Sequence, residues 1–304
     1  MRYLLRRLML LPVPLIFVIG FVFVVLRLTG DPVAIYLGLD ATPEQEAVLR
    51  ADLHLDEPVP VQFGYFLLDL VRGDFGTSIQ FKRRAMEVVR ERLGSTLQLL
   101  ALGLLVAVVL GVLGGVASAV WKDRVPDFVI SVLAVAGQSM PSFWLGILLI
   151  QLFALELQWL PTSGKGGWEH MVLPVITLAT FLVPNFILVM RVSVLEVARE
   201  QFVVTARARG AGPARALWLH ILPNAINPVV SLIGLQLGRL MGGAVVTESI
   251  FAWPGVGRLM VSAIFQRDVP IVVAAVFIVA LTIVLANLVV DLVQAAIDPR
   301  IRLR

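Results

Sequence analysis

The most chemically distinctive part of this chain is a polar segment, Arg191–His220, which lies between two long uncharged runs. Its charged residues are five arginines and two glutamates: Arg191, Arg199, Arg207, Arg209, Arg215, Glu196 and Glu200. Small residues at 206, 208, 211 and 214 leave room for another surface to come close. A basic, small-residue segment kept on one side of a membrane is expected to dock a partner there.

Two residues of this segment predict how it folds. Gly210 suits the left-handed residue that ends a helix. Pro213 suits the first turn of the helix that follows. The pattern therefore predicts two short helices joined by a tight turn.

A second polar pair, Gln236 and Arg239, lies inside an apolar run. A charge at membrane depth is costly and usually faces a cavity or a partner. Gln236 lies three residues before Arg239, so the two side chains are expected to share a helix face. The pair predicts a water-filled path. The alternative is that Arg239 pairs with a carboxylate such as Asp291, in this chain or in a partner.

Glycines recur at a spacing that brings helices together. Gly234, Gly238 and Gly242 repeat every four residues, and Gly111 and Gly115 do the same in an earlier apolar run. Helix backbones approach closely in lipid where side chains are absent. These glycines predict helix packing within the chain or between subunits.

Signatures of catalysis are missing from the sequence. There is no cysteine, and His54, His170 and His220 are scattered without metal-ligand spacing. Gly164 and Lys165 are not followed by Ser or Thr, so they do not form a phosphate-binding loop. We expect no metal and no cofactor in this chain, and ATP hydrolysis would require another polypeptide.

The composition predicts a polytopic membrane protein, because 59% of the 304 residues are hydrophobic and the mean hydropathy is +0.91. The net charge is only +4 and the charges are segregated, so no nucleic-acid partner is expected. Six apolar runs are long enough to cross a bilayer. They are Leu8–Leu26, Leu97–Trp121, a part of Phe128–Leu155, Met171–Met190, a run from about Asn224 to before Glu248, and Val269–Val290. The fold class expected is an all-α integral membrane protein with six transmembrane helices.

Lysine and arginine in short loops set the orientation. Both termini and the basic loops 121–127 and 191–224 are expected in the cytoplasm, with 29–94, 156–170 and 252–268 outside. The basic stretch 80–95 is an exception. We interpret it as an amphipathic helix on the membrane surface, with Met86, Val89 and Leu93 on one face.

Many segments, in order along nearly the whole chain, resemble permease subunits of ABC importers. The resemblance is to the dipeptide/oligopeptide/nickel branch of the type I importers. Residues 200–228 resemble the cytoplasmic coupling loop, the so-called EAA loop. Other matching segments are Gly30–Pro32, Met140–Trp144, Leu235–Gln236, Gly242–Ala244, Thr247–Gly257, Arg267–Pro270 and Asp298–Arg302.

The resemblance implies one transmembrane permease domain over 1–304, with a type I ABC importer permease fold, multi-pass in the cell inner membrane. It assigns 29–94 as an external segment and 191–224 as the coupling loop. The ATPase-coupling residues implied are Glu200, Thr205, Ala206, Arg207, Ala208, Arg209 and Gly210. The partners implied are a second related permease chain, two ATPase subunits that bind ATP and Mg, and an external substrate-binding protein. Val204, Arg209 and Arg239 depart from the usual residues of the branch.

The function expected is therefore a non-enzymatic permease subunit that forms half of a path for di- and oligopeptides. Uptake of nickel–chelate, glutathione or oligosaccharide is an alternative, because the permease motifs are shared. An autonomous secondary transporter would need coupling-ion sites and often inverted repeats with broken helices. An intramembrane enzyme would need a catalytic constellation.

Overall fold

A computed structural model describes residues 12–28, 33, 42–52 and 54–297. Its regular structure is helical apart from an isolated antiparallel bridge between Thr77 and Arg84. The helices before Pro141 are α1 Pro12–Leu28, α2 Pro43–Asp52, α3 Val59–Arg72, α4 Ala85–Val120 and α5 Val125–Ser139. Those after it are α6 Ser142–Leu149, the π-helical segment Ile150–Glu156, α7 Glu169–Val197, α8 Gln201–Ala208, α9 Pro213–Ala216, the π-helical segment Leu217–Ile221, α10 Leu222–Ala225, α11 Asn227–Ile250, α12 Val256–Phe265 and α13 Val269–Ile297. The all-α fold class is confirmed for the described residues.

Four helices are long and apolar enough to cross a membrane: α4, α7, α11 and the Val269–Val293 part of α13. Helices α5 and α6, with the π-helical segment after α6, are long and apolar enough to cross a membrane only when taken together. This pair is bent by 103° at Pro141. Proline cannot donate the backbone hydrogen bond that would continue α5, so the helix is interrupted here. The described residues thus contain four or five candidate spans.

The first of the six expected spans is represented by α1, a shorter apolar helix. Residues 8–11 of that span lie outside the described residues, as do Gly30–Pro32 and Asp298–Arg302 of the resemblance. The count of six spans and the cytoplasmic termini stay predictions.

The chain divides into two compact units. The first contains the part before residue 95 together with residues 255–284. The second contains residues 95–254 and 285–304. Helices α4 and α13 each contribute residues to both units.

The start of α4 differs from the expected membrane-surface helix at 80–95. Residues 85–94 are the first turns of the 36-residue helix α4, so they do not form a separate helix. Val89 is fully buried in the core of the first unit, and Met86 and Leu93 are partly buried against it. The sequence showed the amphipathic face correctly, but protein covers it, because α3, α12 and the start of α13 supply residues to the same core.

A turn at residues 76–84 is fixed to the start of α13 within the first unit. Asp268 is 1% exposed and accepts a hydrogen bond from Ser78 Oγ at 2.5 Å. The backbone N–H of Gln80 donates to the same carboxylate at 3.2 Å. The end of the 29–94 segment is thereby anchored through a buried acid.

Helix α7 is the central element of the second unit, where it packs against α4, α5, α6 and α11. Phe186 and Met190 of α7 are fully buried. A Cβ atom at Gly111 would lie 2.2 Å from the Cβ of Phe186, and one at Gly115 would lie 2.6 Å from the Cβ of Met190. Glycine at both positions therefore lets α4 and α7 approach closely.

Candidate functional site

The segment 191–224, which we call the coupling loop, begins with the last residues of α7, which extends to Val197, and then folds into short helices. Gly210 has φ +91°, and Pro213 is the first residue of α9. Both features confirm the helix–turn–helix predicted from the sequence. Glycine is needed at position 210 because side chains rarely adopt this left-handed conformation.

The turn after α8 closes with two backbone hydrogen bonds. The N–H of Ala211 donates to the carbonyl of Ala206 at 3.0 Å, and the N–H of Gly210 donates to the carbonyl of Arg207 at 2.9 Å. This pair is a Schellman motif, which satisfies carbonyls that a helix end otherwise leaves free. The angle between α8 and α9 is thus set by backbone geometry.

Helix α8 is anchored on one side and exposed on the other. Val203 is fully buried, as is Ala216 of α9. Thr205 Oγ1 donates to the carbonyl of Gln201 at 2.9 Å within the helix. Of the predicted coupling residues, Ala206 is half-buried, and the exposed ones are Glu200, Thr205, Arg207, Ala208, Arg209 and Gly210. The loop presents a small and basic surface to its surroundings.

Arg191, at the beginning of the coupling loop, forms an ion pair that the sequence did not reveal. Its Nε donates to Asp127 Oδ1 at 3.0 Å, and its terminal nitrogen donates to Asp127 Oδ2 at 2.8 Å. Asp127 lies in the first turn of α5. The only signal in the sequence was the presence of two acids, Asp123 and Asp127, among the basic residues of the 121–127 loop, and it did not identify a partner for either.

The two predicted path residues of α11, Gln236 and Arg239, differ in solvent exposure. Gln236 is 1% exposed and lies on the buried side of α11 with Leu240 and Ala244. Arg239 is exposed. The expected polar face shared by both residues is therefore not formed, because Gln236 is buried while Arg239 is exposed.

Arg239 makes no hydrogen bond or ion pair with a described residue, and so it does not pair with Asp291 in this chain. Leu235, on the same exposed side of α11, is 70% exposed. The charge of Arg239 is therefore available to interact with a carboxylate of a partner, with water or with a substrate.

The glycines of α11 have different surroundings. A Cβ atom at Gly234 would lie 2.8 Å from Val290 Cγ1, within the second unit. At Gly238 and Gly242 a Cβ atom would meet no described atom within 4 Å. Gly238 and Gly242 therefore leave a smooth exposed strip beside Arg239.

A buried polar cluster holds the segment that follows α11. Thr96 Oγ1 donates to the fully buried Glu248 at 2.6 Å. Trp253 Nε1 donates to the carbonyl of Ser95 at 2.9 Å, and the N–H of Gly164 donates to the carbonyl of Phe251 at 2.8 Å. These contacts give a structural reason for the residue pattern at Thr247–Gly257. No cluster of metal-ligand side chains occurs within the described ranges.

Two family profiles match the chain. The profile described as binding-protein-dependent transport system inner membrane component matches residues 107–303. The profile described as the N-terminal part of binding-protein-dependent transport system membrane components matches residues 1–100. Together they cover the coupling loop, α11 and the first unit's N-terminal part.

Relatives match over almost the full length. The glutathione transport system permease protein GsiC of Salmonella typhimurium (strain LT2) is 42% identical over 304 residues, with 99% of both chains covered. The GsiC protein of Escherichia coli (strain K12) is 39% identical over 305 residues, again with 99% of both chains covered.

Solved structures indicate a shared fold. An inward-facing MetNI methionine ABC transporter aligns with a TM-score of 0.59 at 17% identity, covering 70% of this chain and 97% of that one. An amino acid ABC transporter aligns with a TM-score of 0.53 at 18% identity, covering 69% of this chain and 94% of that one.

Proposed function

This chain belongs to the family of binding-protein-dependent transport system inner membrane components, and from that membership we propose that it forms half of a translocation path for glutathione or a closely similar small peptide. It is a multi-pass permease subunit of an ABC importer in the inner membrane, and it is not itself an enzyme. The family implies a complex with ATPase subunits and a substrate-binding protein.

The substrate proposal rests on similarity over nearly the whole chain to permeases that are named for glutathione transport. This observation puts glutathione ahead of the general di- and oligopeptides that the sequence resemblance favoured. Glutathione carries more carboxylates than ammonium groups and is therefore an anion at neutral pH.

Arg239 is the residue that we assign to substrate along the path. It is exposed, it has no ion-pair partner among the described residues, and it lies inside an apolar helix. An uncompensated charge at membrane depth is unfavourable, so an anionic peptide passing this position gains a charge-assisted hydrogen bond. Gln236, on the same helix α11, is buried behind this surface.

The coupling loop is the part that we assign to the ATPase. The exposed side of α8 carries Thr205, Arg207 and Ala208, which would enter a groove of the ATPase. Movement of the two ATPases on binding ATP would then pull the loop and open the path to the other side. ATP and Mg would be held by the ATPases.

The remaining partners follow from exposed surfaces. Gly238 and Gly242 would pack against a second, related permease, since nothing in the described part of this chain covers them. The 29–94 segment and the 252–268 loop would meet the external binding protein and shape the outer mouth of the path.

The test is uptake into proteoliposomes that contain this chain, its partner permease, both ATPases and the binding protein. Radiolabelled glutathione should accumulate inside the vesicles only when ATP is present. An excess of unlabelled dipeptide should compete only weakly with glutathione for uptake. Equal or stronger uptake of the dipeptide would show that the substrates are di- and oligopeptides in general and not glutathione in particular. Uptake driven by a proton or sodium gradient without ATP would contradict the importer.

A further inference from the structure

The Asp127 carboxylate is saturated by donors from three parts of the second unit. Arg191 of α7 binds both of its oxygens, at 3.0 and 2.8 Å. The hydroxyl of Ser118 in α4 donates to Oδ1, and the backbone N–H of Asp123 donates to Oδ2 at 3.0 Å. The end of α4, the start of α5 and the end of α7 are therefore joined at one carboxylate.

The pair is also shielded from solvent. The side chain of Asp127 is 8% exposed and that of Arg191 is 25% exposed. A bidentate guanidinium–carboxylate pair fixes orientation as well as distance, because two parallel hydrogen bonds resist rotation. Apolar helix contacts, in contrast, permit small sliding movements of packed helices.

The position of the pair relates it to the coupling loop. Arg191 lies in the last part of α7, and α7 continues only to Val197 before α8 begins at Gln201. A force applied to α8 is thus passed along the chain to the end of α7. The Asp127–Arg191 pair is a polar connection by which that force can reach α4 and α5.

We propose that Asp127 and Arg191 are positioning residues for energy coupling, forming a rigid strut that transmits movement of the coupling loop to α4 and α5. This inference rests on the proposed docking of the coupling loop to an ATPase. The strut does not touch substrate or nucleotide. Its loss separates ATP hydrolysis from transport, while the helices stay packed through the glycine contacts of α4 and α7.

The experiment uses Arg191→Lys in the complete complex, because lysine keeps the charge and loses the two-pronged geometry. The readout is the number of ATP molecules hydrolysed per glutathione taken up, measured per assembled complex in proteoliposomes. We expect this ratio to rise by at least about fivefold, the lower end of ordinary coupling between separate sites. Asp127→Asn should raise it similarly.

The chain provides a matched control pair. Lys122 and Asp123 form an ion pair at 3.6 Å in the second unit, with both side chains exposed. Lys122→Gln should leave the ratio at the wild-type value, since exposed pairs contribute little. Ser118→Ala removes one donor and keeps the ion pair, so it should give a smaller increase and remains informative if Asp127→Asn fails to assemble.

The outcomes are distinct. A normal ratio in assembled Arg191→Lys and Ser118→Ala complexes would overturn the strut, as would an equal rise in the Lys122→Gln control. Loss of assembled complex with a normal ratio in what remains would assign the pair to folding alone and also overturn it. Failure of the wild-type chain to bind any ATPase would instead reject the docking proposal.

Discussion

Arg239 is the residue whose surroundings bear most directly on transport. It lies on a helix that is apolar enough to cross a membrane, and its own chain supplies no counter-ion among the described residues. Water in a path can solvate such a charge, and an anionic substrate can replace that water. The residue is therefore suited to select for negative charge during passage.

Replacing Arg239 should separate anionic from uncharged substrates. We expect Arg239→Ala to lower kcat/KM for glutathione uptake by about tenfold, because a hydrogen bond to a charged group contributes about 1.5–3 kcal/mol. Uptake of a dipeptide without net charge should change much less. Measured initial rates in proteoliposomes check both values.

Arg239→Lys is the control for this prediction, since it keeps the charge and should retain most glutathione uptake. Equal losses for charged and uncharged peptides in Arg239→Ala would assign Arg239 to structure or assembly.

Local backbone conformation could be predicted from the sequence, but the burial and pairing of side chains could not. Gly210 and Pro213 were predicted correctly, because their backbone preferences are local. Gln236 was expected beside Arg239 on one polar face, yet helix contacts bury it. Asp127 was missed because its partner, Arg191, is distant in sequence and pairs with it only after α5 and α7 pack.

At the scale of elements, the turn between α8 and α9 gives the coupling loop its shape. Two backbone hydrogen bonds and the left-handed Gly210 fix it, and a Cβ atom at Gly210 would meet no described atom within 4 Å. Such a turn is sensitive to backbone conformation and insensitive to side-chain volume.

Gly210→Ala and Gly212→Ala make the same chemical change at positions that differ in φ. Gly210 has φ +91° and Gly212 has φ −63°, and both have open space around the missing Cβ. Gly210→Ala should strain the turn by about 1–3 kcal/mol. Less ATPase should therefore be retained when the chain is purified.

Gly212→Ala should retain the ATPase at the wild-type level. Equal retention in both variants would show that the geometry of this turn does not control docking.

Glycine positions on α4 and α11 predict two different defects. Gly111→Ala should lower the melting temperature of the purified chain, because overpacking against Phe186 costs about 1–3 kcal/mol. Gly238→Ala should leave the melting temperature unchanged and reduce recovery of the second permease. A loss of chain stability in Gly238→Ala would contradict its assignment to a subunit interface.

Element type was predictable wherever apolar runs were long, as in α7 and α11. Boundaries were not predictable where tertiary contacts extend or break a helix. Helix α4 reaches back to Ala85 because its first turns are covered by the core of the first unit. The third expected span is bent by 103°, which its hydropathy does not reveal.

At the scale of the whole molecule, the chain is a permease subunit that requires partners to move substrate. Its family membership implies an external binding protein and ATPases. We propose that the exposed sides of α8 and α11 are separate surfaces, for an ATPase and for a second permease. Transport is therefore expected to depend on ATP. Dissipating the proton and sodium gradients should leave glutathione uptake into ATP-loaded vesicles unchanged.

The most direct test is to tag this chain, extract it gently from its native membrane and identify the proteins that come with it. We predict recovery of a second permease and two ATPase subunits from the wild-type chain, with the ATPases reduced in Gly210→Ala and kept in Gly212→Ala. Recovery of this chain alone, in a form that still transports, would contradict the account.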